Sequence, residues 1–235
     1  MVTARKREES LQDAPVVVSA LSKAQLERYN AGDMTKIAEM TPQLFVSRGS
    51  NGNGGTINMR GIGSSSTTSG FDQAVAITVD GIQYSRANVL HQGYFDVGQV
   101  EVLKGPQSLF FGKSSSAGVI SLTTASPGPE REAVLKLGNE FEASERFIEG
   151  VLSGPLSDSF GVRLAARYSN NEHYIDNLAA ATTDPADGST VPAPEREWPQ
   201  EEQSMARLTL SYAGDGPFNA SLKLFWVDME NVGAT

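Results

Sequence analysis

Gln99–Thr124 reads QVEVLKGPQSLFFGKSSSAGVISLTT. Val100 and Val102 alternate with Glu101, the two-residue period of a strand, and the run stops at the turn pair Gly105-Pro106. Gly112, the serines 114–116 and Gly118 then punctuate a loop, after which Val119, Ile120 and Leu122 resume extended character. The stretch predicts strand, tight turn, loop and strand, and the neighbouring elements organise around it.

Upstream, Val16–Val18 reads as a short β-branched strand. Ser22-x-x-Gln25 is a capping box that opens a helix over Lys23–Tyr29. Asp33 caps a second helix, Met34–Met40, which Pro42 closes because a residue before proline avoids helical angles. Leu44 and Val46, then Ile57 and Met59, predict two short strands around the loop Gly49–Gly55. Val75, Ile77 and Val79 alternate, and Asp80-Gly81 is a hairpin signal that returns the chain through Ile82 and Tyr84. This α+β unit ends near Pro127-Gly128-Pro129.

The ordered set Val2-Thr3-Ala4, Arg60-Gly61-Ile62-Gly63, Val79-Asp80-Gly81, VEVLKGPQS (100–108) and FGKSSSAGVISL (111–122) resembles the plug domain of TonB-dependent outer-membrane receptors. The resemblance covers about residues 1–127 and implies three regions. Residues 1–14 are a flexible N-terminus with part of a TonB box, 15–129 the plug, and 130–235 the first strands of a transmembrane β-barrel. The fold class expected is an α+β plug followed by antiparallel strands of an incomplete barrel. Val2, Thr3 and Ala4 are then the tail of the segment that TonB engages by strand addition. The resemblance makes Arg60, Glu101 and Lys104 the plug–barrel pairing charges, the two basic residues facing acidic residues of the wall, with Lys104 where the family usually has arginine. Ligand-facing positions are expected in the loops, at Arg48, Asn51, Asn53, Ser65, Ser66, Phe71, Arg86 and His91.

Past Pro129 the texture changes to runs of about 9–11 residues, the length of a tilted membrane strand. Arg131–Phe141, Glu145–Leu156, Phe160–Asn170, Met205–Tyr212 and Phe218–Asp228 read as strands. In the third, Val162, Leu164, Ala166 and Tyr168 share one face, and Arg163, Ala165, Arg167 and Ser169 the other. In the fourth, Ala206, Leu208, Leu210 and Tyr212 oppose Arg207, Thr209 and Ser211. Such apolar-out, polar-in alternation suits a barrel wall with a wet lumen, though half-buried strands of a soluble sandwich alternate too. Ser157–Ser159 and Gly214–Pro217 are short turns, whereas Asn171–Gln203 is a long polar loop. Plugged transporters have about 22 strands. Five cannot close and an open edge cannot face lipid, so the wall is expected to be partial.

Composition narrows the alternatives. A net charge of −9 over 235 residues argues against a nucleic-acid partner, since phosphate neutralisation needs basic patches. No run reaches the ~18 apolar residues of a membrane helix, which leaves barrels open. Met1–Arg7 lacks the apolar core of a signal peptide, so something is expected to be missing from the N-terminus. Gly112-Lys113-Ser114 fails as a P-loop because Gln107 stands where the first glycine belongs, and Gly61-x-Gly63 has Ser66 in place of a third glycine. His91 and His173 have no ligand spacing, Glu130 and Glu132 and the acids of 195–202 read as solvated loop faces, and no GxSxG elbow occurs. No enzyme, metal or cofactor is expected. Implied partners are TonB with its inner-membrane complex, outer-membrane lipid, and a small ligand such as a ferric siderophore. The rivals are a soluble plug-like binding or signalling module and a passive adhesin or porin fragment.

Overall fold

The computed structural model describes residues 16–48, 55–64, 73–84, 90, 93–140, 145–171, 175–176, 178–193, 197–198, 200–214 and 216–232. The chain divides into two compact units between Ser126 and Pro127.

The first unit runs β1 (Val17–Ser22), α1 (Lys23–Arg28), α2 (Met34–Glu39), β2 (Leu44–Arg48), β3 (Gly55–Met59), β4 (Ile62–Ser64), β5 (Val75–Val79), β6 (Ile82–Tyr84), β7 (Val97–Lys104), α3 (Ser108–Phe111) and β8 (Gly118–Thr124). Five strands form one sheet in the order β1-β7-β8-β5-β6, and β2-β3-β4 form a second, antiparallel one. In the larger sheet β1–β7 and β7–β8 are antiparallel, whereas β5 and β8 run parallel. The quoted stretch thus supplies two neighbouring inner strands.

Both faces of that sheet are apolar near its centre. On one, Val100, Val102, Ile120, Leu122, Val75 and Ile77 join Leu26, Met34 and Ile37 of the helices and Leu44, Val46, Ile57 and Met59 of the small sheet. Each fully buried side chain of this size contributes roughly 1.5–3 kcal/mol. On the other, Ala76, Leu103 and Val119 are covered by Val16, Val18, Ala20 and Phe111. The helices start where polar capping is available. Ser22 donates its N–H and hydroxyl to Gln25 Oε1 at 2.9 and 3.0 Å, and Asp33 Oδ1 accepts from the Lys36 N–H at 2.9 Å.

Two local expectations are corrected and one turn is added. The first strand begins one residue later and extends to Ser22, because all six of its residues find a partner on β7. Arg60-Gly61 is a two-residue turn between β3 and β4, with φ of 54° and 80°, built like Asp80-Gly81 with 50° and 81°. The segment 105–118 is no plain loop. The Gln107 carbonyl accepts from the N–H groups of Phe110 and Phe111 at 3.1 and 3.0 Å, closing α3, and a 3-10 turn follows over Lys113–Ser115.

The second unit is antiparallel. Its main strands are β9 (Glu132–Asn139), β10 (Glu145–Pro155), β11 (Phe160–Asn171), β16 (Gln200–Ala213) and β17 (Asn219–Val232), ordered β17-β16-β11-β10-β9. Between β11 and β16 lie two short ladders, β12 (Ile175–Asp176) with β15 (Glu197–Trp198) and β13 (Thr182–Thr183) with β14 (Thr190–Val191). β16 starts at Gln200 rather than Met205, because Asn171 pairs with Glu201 and the ladder to β17 continues to Val232. The long connection is correspondingly shorter than Asn171–Gln203.

This sheet is inverted with respect to a soluble one. Leu135, Leu137, Ile148, Leu152, Leu164, Leu222, Leu224 and Trp226 are exposed, and register sets Leu152, Leu164, Leu208 and Leu224 side by side. Glu149, Arg163, Gln203, Arg207 and Thr209, on the opposite face, are buried. A contiguous exposed apolar face on one side of a sheet marks a lipid or partner surface. Phe160, Tyr212 and Phe218 cluster at its short-turn end, with ring centroids 4.9 and 6.0 Å apart. β17 departs from the alternation: Phe225, Val227 and Met229 are exposed on the face that is polar in β11.

Candidate functional site

The site is a corner of the first unit where two turns meet. Gly118 lacks a side chain for a reason: a Cβ there would lie 2.2 Å from Met59 Sδ and 2.4 Å from the Leu103 carbonyl. Met59 fills that notch, which anchors β3 over β8 and carries the next residue, Arg60, to the turn at Gly105. A Cβ on Gly105 would lie 3.9 Å from Arg60 Nη1, and Gly105 itself has φ of 109°. Arg60 is held twice by Gln43, its N–H donating to the Gln43 carbonyl at 3.0 Å and its Nε to Oε1 at 3.3 Å.

Lys104, at the end of β7, is 7 % exposed. Burial holds its ammonium below the usual lysine pKa, and the Arg60 guanidinium pushes in the same direction. The corner is thus a pair of mutually repelling cations, one exposed and one buried, suited to receiving an anionic group. Glu101 does not belong to it. Three residues from Lys104 on the same strand, it lies on the opposite face, opposite Ala20 and Ser121, 2 % exposed and accepting from Gln99 Nε2 at 2.8 Å.

Of the expected ligand-facing positions, Asn51, Asn53, Ser65, Ser66, Phe71, Arg86 and His91 lie outside the described residues, as do Val2, Thr3 and Ala4. The backbone of Arg48 pairs with Gly55 at the stem of the first of these loops. The stem of the second is closed by Ser64 Oγ, which accepts from the Ala74 N–H at 2.9 Å. Leu90, from the third, is fully buried, and a Cβ on Gly55 would meet it at 2.9 Å.

The polar face of the second unit carries an ion-pair ladder that the sequence reading missed. Glu149 Oε1 pairs with Lys136 Nζ at 3.2 Å and its Oε2 with Arg167 Nη1 at 3.4 Å, while Arg167 Nη2 reaches Glu145 at 3.3 Å. Arg167 also lies 4.1 Å over the Phe147 ring, and that ring occupies the space a Cβ on Gly138 would need. Glu132, expected on a solvated loop, stands in β9 and pairs with Arg163 at 2.6 Å. Register explains both: Glu149 sits opposite Lys136 on one side and Arg167 on the other, and Ser153 separates Glu132 from Arg163.

The family profile of the TonB-dependent receptor plug domain matches residues 10–119, which contain both the Arg60 turn and the Lys104 corner. The chain belongs to the TonB-dependent receptors of the outer membrane. It is 31 % identical over 159 residues to the pesticin receptor of Yersinia pestis, an alignment covering 67 % of this chain and 23 % of that protein. It is 26 % identical over 168 residues to the ferrioxamine B receptor of Salmonella typhimurium, covering 70 % and 23 %. Among solved structures, the ferric yersiniabactin uptake receptor of Yersinia pestis superposes with a TM-score of 0.77 at 22 % identity, over 94 % of this chain and 32 % of that one. The pyoverdine receptor of Pseudomonas aeruginosa gives 0.72 at 17 % over 94 % and 29 %. The chain therefore spans about a quarter of the curated relatives' length. The first unit is the plug, and the second consists of antiparallel strands of barrel type. The family is one of receptors and transporters.

Proposed function

We propose that the receptor to which these residues belong imports a scarce nutrient across the outer membrane, a ferric siderophore being the favoured class, with energy delivered by TonB. The carrying observation is that a matched plug profile and an inverted antiparallel sheet occur in one chain, in that order. The proteins named above for pesticin, ferrioxamine B, yersiniabactin and pyoverdine support the ligand class.

In this reading Val2, Thr3 and Ala4 belong to the segment TonB grips. Arg60 and Lys104 take carboxylates of the barrel wall, Glu101 contributes from the opposite face, and the loops carrying Arg48, Asn51, Asn53, Ser65, Ser66, Phe71, Arg86 and His91 meet the ligand. Charge pairs in a wet lumen hold a plug and still let go, since they carry no large apolar penalty on separation. Ligand binding would expose the TonB segment, and pulling would open a path.

The test is iron-limited growth of cells lacking their own siderophore receptors, complemented with the full-length gene and fed a panel of ferric siderophores. Rescue by one siderophore, lost when TonB is deleted, is the expected result. Rescue without TonB, or rescue of vitamin B12-dependent growth with no siderophore effective, would overturn it.

A further inference from the structure

The Arg60 turn and the 105–118 segment are joined at two points, and the second is remote from the first in sequence. At the near point Met59 fills the Gly118 notch and Arg60 lies over Gly105. The far point starts at the other end of the same hairpin. Ser64 Oγ accepts from the Ala74 N–H at 2.9 Å, the Ala74 carbonyl accepts from the Ala117 N–H at 2.8 Å, and the Ala117 carbonyl accepts from the Gly105 N–H at 2.9 Å. The path is a closed ring: Gly105, Ala117, Ala74, Ser64, then β4 back to Gly61 and Arg60. Two of its links are side chains, the Ser64 hydroxyl and the Arg60 guanidinium over Gly105.

We propose that Ser64 is a positioning residue, whose hydroxyl closes this ring and thereby fixes the separation of Arg60 from Lys104. β4 is three residues long and both ends of its hairpin are tied to the same turn, so release at Ser64 lets the hairpin pivot about Met59 and carries Arg60 away from Gly105. Ala74 is the junction, because its N–H donates to Ser64 Oγ and its carbonyl accepts from the Ala117 N–H. The stem of the 65–72 loop is thereby connected to the cation corner. The functional meaning of that link rests on the charge-pair role proposed above, whereas the ring does not.

The experiment compares the full chain with Ser64→Ala and Ser64→Thr, reading amide exchange and the titration of Lys104 by lysine-selective NMR. Loss of one hydrogen bond of ordinary net strength should speed exchange at Ala74, Ala117 and Gly105 by about three- to tenfold in Ser64→Ala. The Lys104 titration should move towards the ordinary lysine value as Arg60 withdraws. Val102 and Ile120 amides, central in the sheet, should not change, which shows that the variant folds. Ser64→Thr, keeping the hydroxyl, should behave as the parent. Faster exchange confined to Ala74 with Lys104 unmoved, or a Ser64→Thr variant indistinguishable from Ser64→Ala, would overturn the proposal. Because these readouts need neither ligand nor uptake, they fail or succeed independently of the transport reading.

Discussion

Asp80 grips Thr124 across 44 residues, its carboxylate accepting from the Thr124 N–H at 2.9 Å and from the hydroxyl at 2.7 Å. The aspartate does this from φ of 50°, and its own N–H donates to the Leu122 carbonyl at 2.9 Å. Asp96, also at φ of 50°, accepts from the Ala125 N–H through its backbone carbonyl at 3.0 Å. Two aspartates in a conformation that side chains rarely adopt thus clamp the last residues of the plug before the chain leaves for the wall.

Removing the first clamp should therefore cost more than a turn residue ordinarily would. Asp80→Ala forfeits two charge-assisted hydrogen bonds and is expected to lower stability by about 2–4 kcal/mol. Asp80→Asn, which tolerates positive φ and retains both contacts as neutral bonds, should lose less than half of that. Denaturant unfolding of the full chain, read at the plug, checks this; equal losses for the two variants would contradict it.

Lys104 makes the plug's stability depend on pH with a definite sign. Its folded pKa lies below the ordinary value of 10.5, so between the two values the unfolded chain binds the extra proton and folding gains as pH rises. Below the folded pKa the buried charge is a standing cost. Lys104→Met should be at least as stable as the parent at pH 7, and the difference should shrink as pH approaches 10.5. Paired unfolding curves over that range would show it, and a variant that is less stable at pH 7 by a constant margin would not fit.

Glu149 is 5 % exposed and serves two cations at once. Glu149→Ala leaves the buried Arg167 with Glu145 alone and strips the partly exposed Lys136 of this partner, and about 1–3 kcal/mol of destabilisation is expected. Adding Lys136→Met should recover part of it, since one surplus charge goes with the acid. Thermal unfolding of the three proteins decides; no recovery in the double variant would mean that the ladder does not act as a unit.

What the sequence disclosed and withheld follows from which forces leave a local trace. Asp80-Gly81 was legible as a hairpin because its residue types announce positive φ, while Arg60-Gly61 has the same geometry and was missed because arginine does not. β5 was visible as a period-two run and β8 as an extended apolar one, yet neither pattern says anything about partner or direction, so their parallel pairing could not be read. In the wall, β11 and β16 alternate strictly and their faces were read correctly, whereas β17 places Phe225, Val227 and Met229 on the side that is polar in its neighbours. The cation corner was named residue by residue through resemblance alone. That Arg60 lies over Gly105, next to Lys104, and that Glu101 faces away, depends on the Met59–Gly118 notch and on strand parity, which only coordinates reveal.

The measurement that bears most directly on the whole account is lipid accessibility of the second unit. These 235 residues contain no cysteine, so once any cysteine elsewhere in the receptor is replaced by serine, a single spin-labelled cysteine reports one position. In the full-length receptor reconstituted into liposomes, labels at Leu164, Leu208 and Leu224 should relax readily with oxygen and hardly at all with a water-soluble nickel chelate, while labels at Ala165 and Thr209 should show little oxygen effect. Nickel access to Leu164, Leu208 and Leu224, with no alternation along β11 and β16, would mean that the apolar face meets water or protein rather than lipid, and the barrel reading would fail.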